Sequence, residues 1–184
     1  MKLPAFYDTV RLGAGVLSTA VANTLSSLGF SVHAWARTPR APGEFPHTLY
    51  IGSDELARFF ANTKALVCLL PLTPETKGIL NCACFTAMQR GGYIINVARG
   101  GHLVLPDFVA AIKDGQLAGA TLDVFETEPL RPDHEIWLNP SIRITPHISA
   151  STILDLSVRQ IAAKIRALNA GKPVSGMVLA ARGY

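Results

Sequence analysis

Long apolar runs, clustered basic charge and paired metal ligands are all missing from this sequence, and each absence excludes something. Charges and prolines interrupt every apolar stretch before it reaches the roughly 20 residues of a membrane span, so no transmembrane segment is expected. The start, MKLPAFYD, has no apolar core of the kind a secretory signal carries, and a cytoplasmic location is the expectation. Cysteine is scarce, with Cys68, Cys82 and Cys84 the only three. Cys68 sits in an apolar run and reads as core. Cys82 and Cys84 have no second Cys/His pair at zinc spacing, so no metal site is expected, and reduced thiols are the simplest reading. Charged residues make up only 16% of the chain, and net charge is +4. The basic residues are scattered and not interleaved with aromatics, which argues against a nucleic-acid surface.

What is abundant is hydrophobic residues, at 49% of the 184 positions, a composition suited to a packed α/β core. Short apolar runs alternate with helical patterns. Strands are expected at 9–12, 31–36, 65–70, 93–97, 120–124 and 143–145. Helices are expected from the glycine turn at 13–15 to about Leu28, over Asp54–Ala61 with Ser53 as its cap, over about 107–114, and from about Ile153 to Leu168, where Gly171 ends it. Segments 38–48 and 126–141, rich in proline, read as loops. Strands separated by helices imply βαβ units and a parallel, doubly wound sheet of Rossmann type. Right-handed crossovers place the loops after the strands along one edge, where open α/β sheets bind ligands.

The first such loop, Gly13-Ala14-Gly15-Val16-Leu17-Ser18, reads G-x-G-x-x-S. Gly13 permits a tight turn, and Gly15 lets the backbone approach a pyrophosphate. The first helical residues, Val16 and Leu17, bring free N–H groups and the positive end of the helix dipole. Ser18 stands where glycine or alanine is usual, and a plain strand–turn–helix joint would look much the same. The end of the second strand adds to this. An NAD site usually places Asp or Glu there for the ribose 2′-hydroxyl. Here Ala36 occupies that place, and Arg37 and Arg40 follow. A guanidinium suits a 2′-phosphate, so NADP(H) is expected ahead of NAD(H). A solvated arginine loop is the competing reading.

Three later strand ends carry polar groups: Asn96-Val97-Ala98-Arg99-Gly100, Leu122-Asp123-Val124-Phe125-Glu126-Thr127-Glu128-Pro129, and Thr145-Pro146-His147-Ile148. With Leu69-Leu70-Pro71-Leu72-Thr73-Pro74-Glu75-Thr76-Lys77-Gly78 and the ending Ala181-Arg182-Gly183-Tyr184, these segments resemble the D-2-hydroxyacid dehydrogenase family, and within it the glyoxylate/hydroxypyruvate reductase branch. The resemblance runs from about residue 9 to the C-terminus. It implies reduction of a small 2-keto acid, with Arg99 as the substrate arginine, His147 as the acid/base and Glu128 as its acidic partner. It also implies that Leu70, Pro71, Thr76, Ala98 and Asp123 line the cofactor, and that a homodimer is possible. The chemistry agrees: a keto acid needs a cation for its carboxylate and a proton donor for its carbonyl oxygen. His33, His47, His102 and His134 are given no role, and His102 reads as a solvated loop residue.

The same resemblance sets expectations for what differs. The family's substrate lobe lies mostly before the glycine loop, where this sequence has a dozen residues, so most of the lobe is expected to be missing. The expected division is 1–8 as remnant or linker, 9–150 as the NAD(P)-binding domain, and 151–184 as a C-terminal helix and tail from the substrate domain. Arg11 falls inside an expected buried strand, and Leu179 and Ala180 replace polar residues usual near this ending. A catalytically silent NADP(H)-binding module is therefore the alternative to an active reductase. A methyltransferase would share the glycine turn but not the Arg99, Glu128, His147 series. Short-chain dehydrogenase chemistry lacks its Tyr-x-x-x-Lys.

Overall fold

The computed structural model describes residues 8–13, 15–39, 43 and 45–177, with the backbone alone for 8–12. The expectations placed on residues 1–7, Arg40, Leu179, Ala180 and 181–184, and on the surroundings of the Arg11 side chain, lie outside the described residues.

Seven parallel strands form one sheet in the order β3-β2-β1-β4-β5-β6-β7. They are β1 (Asp8–Leu12), β2 (Ser31–Ala36), β3 (Thr48–Ile51), β4 (Ala65–Cys68), β5 (Gly92–Asn96), β6 (Leu117–Leu122) and β7 (Ile142–Ile144). The helices are α1 (Val16–Ser27), α2 (Leu56–Ala61), α3 (Cys82–Ala87), α4 (Leu105–Lys113) and α5 (Leu154–Asn169). Strand order reverses between β1 and β4, which is the topological switch point of a doubly wound sheet. From β1 the chain winds outward through α1 to β2. From β4 it winds the opposite way, and right-handed crossovers put the two sets of helices on opposite faces. Accordingly α2, α3 and α4 form one row, each packed on the next.

The core lies under that row. Phe59, Phe85, Phe108, Leu66, Leu80, Ile94, Leu117, Leu122 and Ile136 are fully buried. Phe85 meets Phe108 edge to face at 6.3 Å, and Tyr50 meets Phe59 at 5.6 Å, within the range favoured by aromatic pairs. Cys68 is in this core, as its run implied, and burial pushes its thiol up to about 12. Burial raises the Cys84 thiol as well, whereas Cys82 is exposed. Thiolate is the reactive form. Titrating the native protein with an aromatic disulfide is therefore expected to label Cys82 alone, with Cys68 and Cys84 reacting only on unfolding.

Several elements depart from the sequence reading. Thr48–Ile51 is a strand, pairing with β2 from His33↔Thr48 to Ala36↔Ile51. Its four residues are too few to show a period beside a Pro-rich loop. Ser53 does not cap a helix: Ser53–Glu55 is a 3-10 turn, the Ser53 hydroxyl bonds Asp54, and α2 begins at Leu56. The short α3 was not expected, and its signal is the Asn81 cap, whose side chain accepts from the Cys84 N–H at 3.1 Å. Within the loop 126–141 lies a 3-10 turn, Glu135–Leu138. Leu69 and Leu70 lie past the end of β4, and β6 starts three residues before the expected Ala120.

By contact density the chain divides after His147. The following unit carries α5, on which Leu154, Val158, Ile161, Ile165 and Leu168 recur at helical spacing and are all exposed.

Candidate active site

Both halves of the site sit at the C-terminal ends of the strands. At the end of β1, Gly13 has φ +103°, a conformation that L side chains rarely adopt. A Cβ there would also meet the Ser18 Oγ at 3.1 Å. Ser18 is buried, so its hydroxyl fills the helix–strand joint that a smaller residue usually occupies. Gly15 begins α1, and a Cβ on it would meet nothing within 4 Å. Val16 and Leu17 are exposed, no side chain caps the helix, and its first turn has no acid. The N–H groups of this turn, with the helix dipole, are thus open toward an anion.

Arg37 follows β2 and reaches across to Glu75, with Nη1 to Oε2 at 3.4 Å. The carboxyl of Glu75 is held below its ordinary range, chiefly by the Thr73 hydroxyl, with Arg37 adding to it. A cleft of about 760 Å³ opens beside this pair, lined also by Trp35, Ser53, Lys77 and Asn81. Leu70 is buried, while Pro71 is exposed. Thr76 does not offer its hydroxyl outward. It donates to the Pro71 carbonyl at 2.7 Å and accepts from the Thr73 N–H at 2.8 Å, so it shapes the 71–76 turn from within.

On the other side of the switch point, Arg99 follows β5 and is exposed. Its Nη1 donates to the Ala98 carbonyl at 2.6 Å, and Ala98 itself is buried. Asn96, the last residue of β5, is fully buried and braces this loop. Its Nδ2 donates to the Arg99 carbonyl at 3.1 Å, and its Oδ1 accepts from the Ala98 N–H at 3.2 Å. Gly100 brings the loop against the next one, since a Cβ there would lie 1.9 Å from the Phe125 carbonyl carbon.

Asp123, just past β6, is buried and fixes two neighbours. Its carboxylate accepts from the Thr145 hydroxyl, and its carbonyl accepts from the His147 N–H at 3.0 Å. His147 has φ 55°. For a non-glycine residue this left-handed backbone costs on the order of 1–3 kcal/mol, and such strain clusters at functional sites. Here it sets the His147 ring against Glu128, with Nδ1 2.9 Å from Oε2. The other oxygen of Glu128 accepts from the Phe125 N–H at 2.8 Å. The His147 hydrogen bond, and after it that N–H, hold the Glu128 carboxyl below its ordinary range. Glu128 and His147 border a cleft of about 600 Å³ with Asp123, Trp137 and Thr145.

Glu128 and His147 are thus in contact, and Gly100 seats the Arg99 loop on the Phe125–Glu128 loop. Asn96 and Thr145 were missed in the sequence, although a polar residue closing an apolar strand signals the first. His102 overturns its reading as a solvated residue. It is fully buried, with Nδ1 3.0 Å from the Arg99 carbonyl and Nε2 3.3 Å from that of Pro71. Among the described residues, no cluster of three or more His, Cys, Asp or Glu could hold a metal ion. Among them, too, no helix is long and apolar enough to cross a membrane.

A parallel sheet wound both ways from β1/β4, with a glycine turn and an open helix N-terminus at that seam, defines a Rossmann-type dinucleotide-binding domain. The family model described as "D-isomer specific 2-hydroxyacid dehydrogenase, NAD binding domain" matches residues 9–149, and the chain belongs to that family. It is 45% identical over 173 residues to glyoxylate/hydroxypyruvate reductase A of Yersinia enterocolitica, covering 94% of this chain and 55% of that protein. The corresponding enzyme of Serratia proteamaculans is 46% identical over the same shares. The chain therefore spans about half the length of these curated relatives. Among solved structures, a D-isomer specific 2-hydroxyacid dehydrogenase from Xanthobacter autotrophicus in complex with NADPH and MES superposes with a TM-score of 0.90 at 38% identity, over 97% of this chain and 73% of that one. An NADPH-dependent glyoxylate/hydroxypyruvate reductase from Sinorhizobium meliloti, in complex with NADP and sulfate, gives 0.89 at 36% identity, over 97% and 57%.

Proposed function

We propose that this chain binds NADP(H) and reduces a small 2-keto acid of the glyoxylate/hydroxypyruvate type to the 2-hydroxy acid. The observation that carries the reading is the Glu128–His147 pair, held at 2.9 Å on the lip of a cleft. The residues present fit the cofactor: Gly13 and Gly15 leave room for a pyrophosphate, and the uncapped start of α1 supplies donors. No acid ends β2, and Arg37 stands where a 2′-phosphate would be met. When bound, NADPH supplies the hydride that goes to the carbonyl carbon. Arg99 grips the keto acid's carboxylate with its planar fork. His147 donates a proton to the carbonyl oxygen, and Glu128 holds the ring through Nδ1 so that Nε2 faces the substrate. Asp123 positions His147 through its backbone. Leu70, Pro71, Ala98 and Asp123 line the cofactor, with Thr76 holding the 71–76 turn beside it from within.

Names of the relatives support this assignment, as do the NADPH and NADP in their structures. Residues 9–150 are assigned as the NAD(P)-binding domain, and 151–184 as a helix and tail that return toward a substrate domain. Pairing of two copies and a cytoplasmic location complete the proposal. A second reading, binding without turnover, is favoured by one feature. The His147 side chain is 52% exposed, and a wet site weakens the electrostatics on which proton and hydride transfer depend.

Titration with NADPH and NADH, followed by nucleotide fluorescence, tests the cofactor. NADPH is expected to bind more tightly. Arg37→Ala is expected to remove roughly 10- to 100-fold of that preference, the worth of a hydrogen bond to a charged group. Equal affinity for both nucleotides in the unaltered chain would contradict the NADP(H) assignment. Glyoxylate turnover then separates reductase from silent module.

A further inference from the structure

One imidazole lies between the two halves of the site, and the proposed chemistry does not use it. His102 is fully buried, in the 3-10 turn that follows Arg99. Its ring nitrogens face two carbonyls from different loops, Arg99 at 3.0 Å and Pro71 at 3.3 Å. Its own main chain is fastened too: the N–H donates to the Arg99 carbonyl at 3.2 Å, and the carbonyl accepts from Leu80 N–H at 2.9 Å. The two loops touch again where the Gly78 N–H donates to the Gly101 carbonyl at 2.9 Å. Burial lowers the affinity of His102 for a proton, which favours the neutral ring. A neutral ring has a single N–H, so it donates to one of the two carbonyls at a time. Neither carbonyl is orphaned by that choice, because Asn96 also donates to Arg99 and the Thr76 hydroxyl donates to Pro71. Burying a polar ring costs free energy unless its hydrogen bonds are made, so this ring depends on the carbonyls it faces.

We propose that His102 is a positioning residue for the keto-acid site, its ring coupling the Arg99 loop to the Pro71 turn so that the substrate cation and the cofactor wall keep a fixed spacing. This rests on the reading of Arg99 as the substrate's cation. Arg99 belongs to the same turn as His102, so the bond that couples the two loops is the one at Nε2, donated to the Pro71 carbonyl at 3.3 Å.

Three variants of the full chain test it. An asparagine amide stands near the place of Nδ1, a glutamine amide near that of Nε2, and phenylalanine keeps the bulk without either. Backbone amide exchange in segments 70–76 and 99–103 is measured beside the NADPH Kd and the glyoxylate KM and kcat. His102→Phe is expected to speed exchange in both segments by roughly tenfold, the worth of one net hydrogen bond, while β5 and β6 exchange as before. It is expected to raise the glyoxylate KM more than the NADPH Kd. His102→Gln restores protection at 70–76 and brings KM back, and His102→Asn does not. Unchanged exchange in both segments overturns the proposal. So does a uniform loosening of the whole domain without rescue by glutamine, the sign of a packing role alone. If the phenylalanine variant does not fold, the asparagine and glutamine variants carry the comparison. If the unaltered chain fails to reduce glyoxylate, the functional reading falls, and the exchange pattern alone decides for or against the coupling.

Discussion

On the proposed reading, His147→Asn slows reduction of glyoxylate by about 10²- to 10⁴-fold, the usual worth of a positioned general acid, while NADPH binds as before. Asparagine is the informative replacement because His147 has φ 55°. Asparagine accepts the left-handed region more readily than most residues, so the backbone that seats the side chain is kept. Its amide can still meet Glu128, but it has no proton to give at neutral pH. Steady-state kcat and KM, with a parallel NADPH titration, check the result. A variant that retains most of its turnover would remove His147 from the chemistry. A folded variant that loses NADPH binding would move His147 from the acid/base to the cofactor site.

Gly100→Ala is expected to be the most damaging single methyl in the described structure. The added Cβ would lie 1.9 Å from the Phe125 carbonyl carbon and 2.2 Å from the Glu126 nitrogen. Both are backbone atoms, so no side chain can swing away. Overpacking of a closed site costs about 1–3 kcal/mol, occasionally more, and this case belongs at the upper end. For a domain of this size that is about 6–12 °C in Tm. Thermal unfolding followed by circular dichroism reads the shift directly. The same substitution pries the Arg99 loop from the loop of Glu128, so residual activity in whatever folds should fall further than stability alone implies. A variant with unaltered Tm would mean that the two loops are not held in this contact.

Where the sequence could be read and where it could not follows from how each feature is encoded. The strands of the sheet announce themselves as apolar runs because parallel strands are buried on both faces. ALVCLL and YIINV needed no further clue. Thr48–Ile51 at the sheet edge is four residues long and partly exposed, so its pattern merges with the loop before it. Arg99, Glu128 and His147 were picked out by the resemblance of their segments to the family, and their types suit the chemistry proposed for them. Thr76 was placed at the cofactor by position alone, and nothing in its type says that its hydroxyl turns inward to Pro71. His102 was misread for a related reason. A histidine between Gly101 and Leu103 looks solvated until the chain brings a second carbonyl, from a loop some thirty residues earlier (|i−j| = 31), to its far nitrogen.

The strand order also bears on how the domain is assembled. Pairs β1/β2, β4/β5, β5/β6 and β6/β7 join strands that follow closely along the chain, and each closes a modest loop. The seam between β1 and β4 is different, pairing Thr9 with Ala65 across the whole β2–β3 excursion. That pairing encloses the longest stretch of chain in the sheet and so carries its largest closure entropy. Arg99, Glu128 and His147 follow β5, β6 and β7, all on one side of that seam, and the glycine turn follows β1 on the other. A nucleotide that bridges the seam and binds only the folded chain would tie its two sides together and stabilise that pairing.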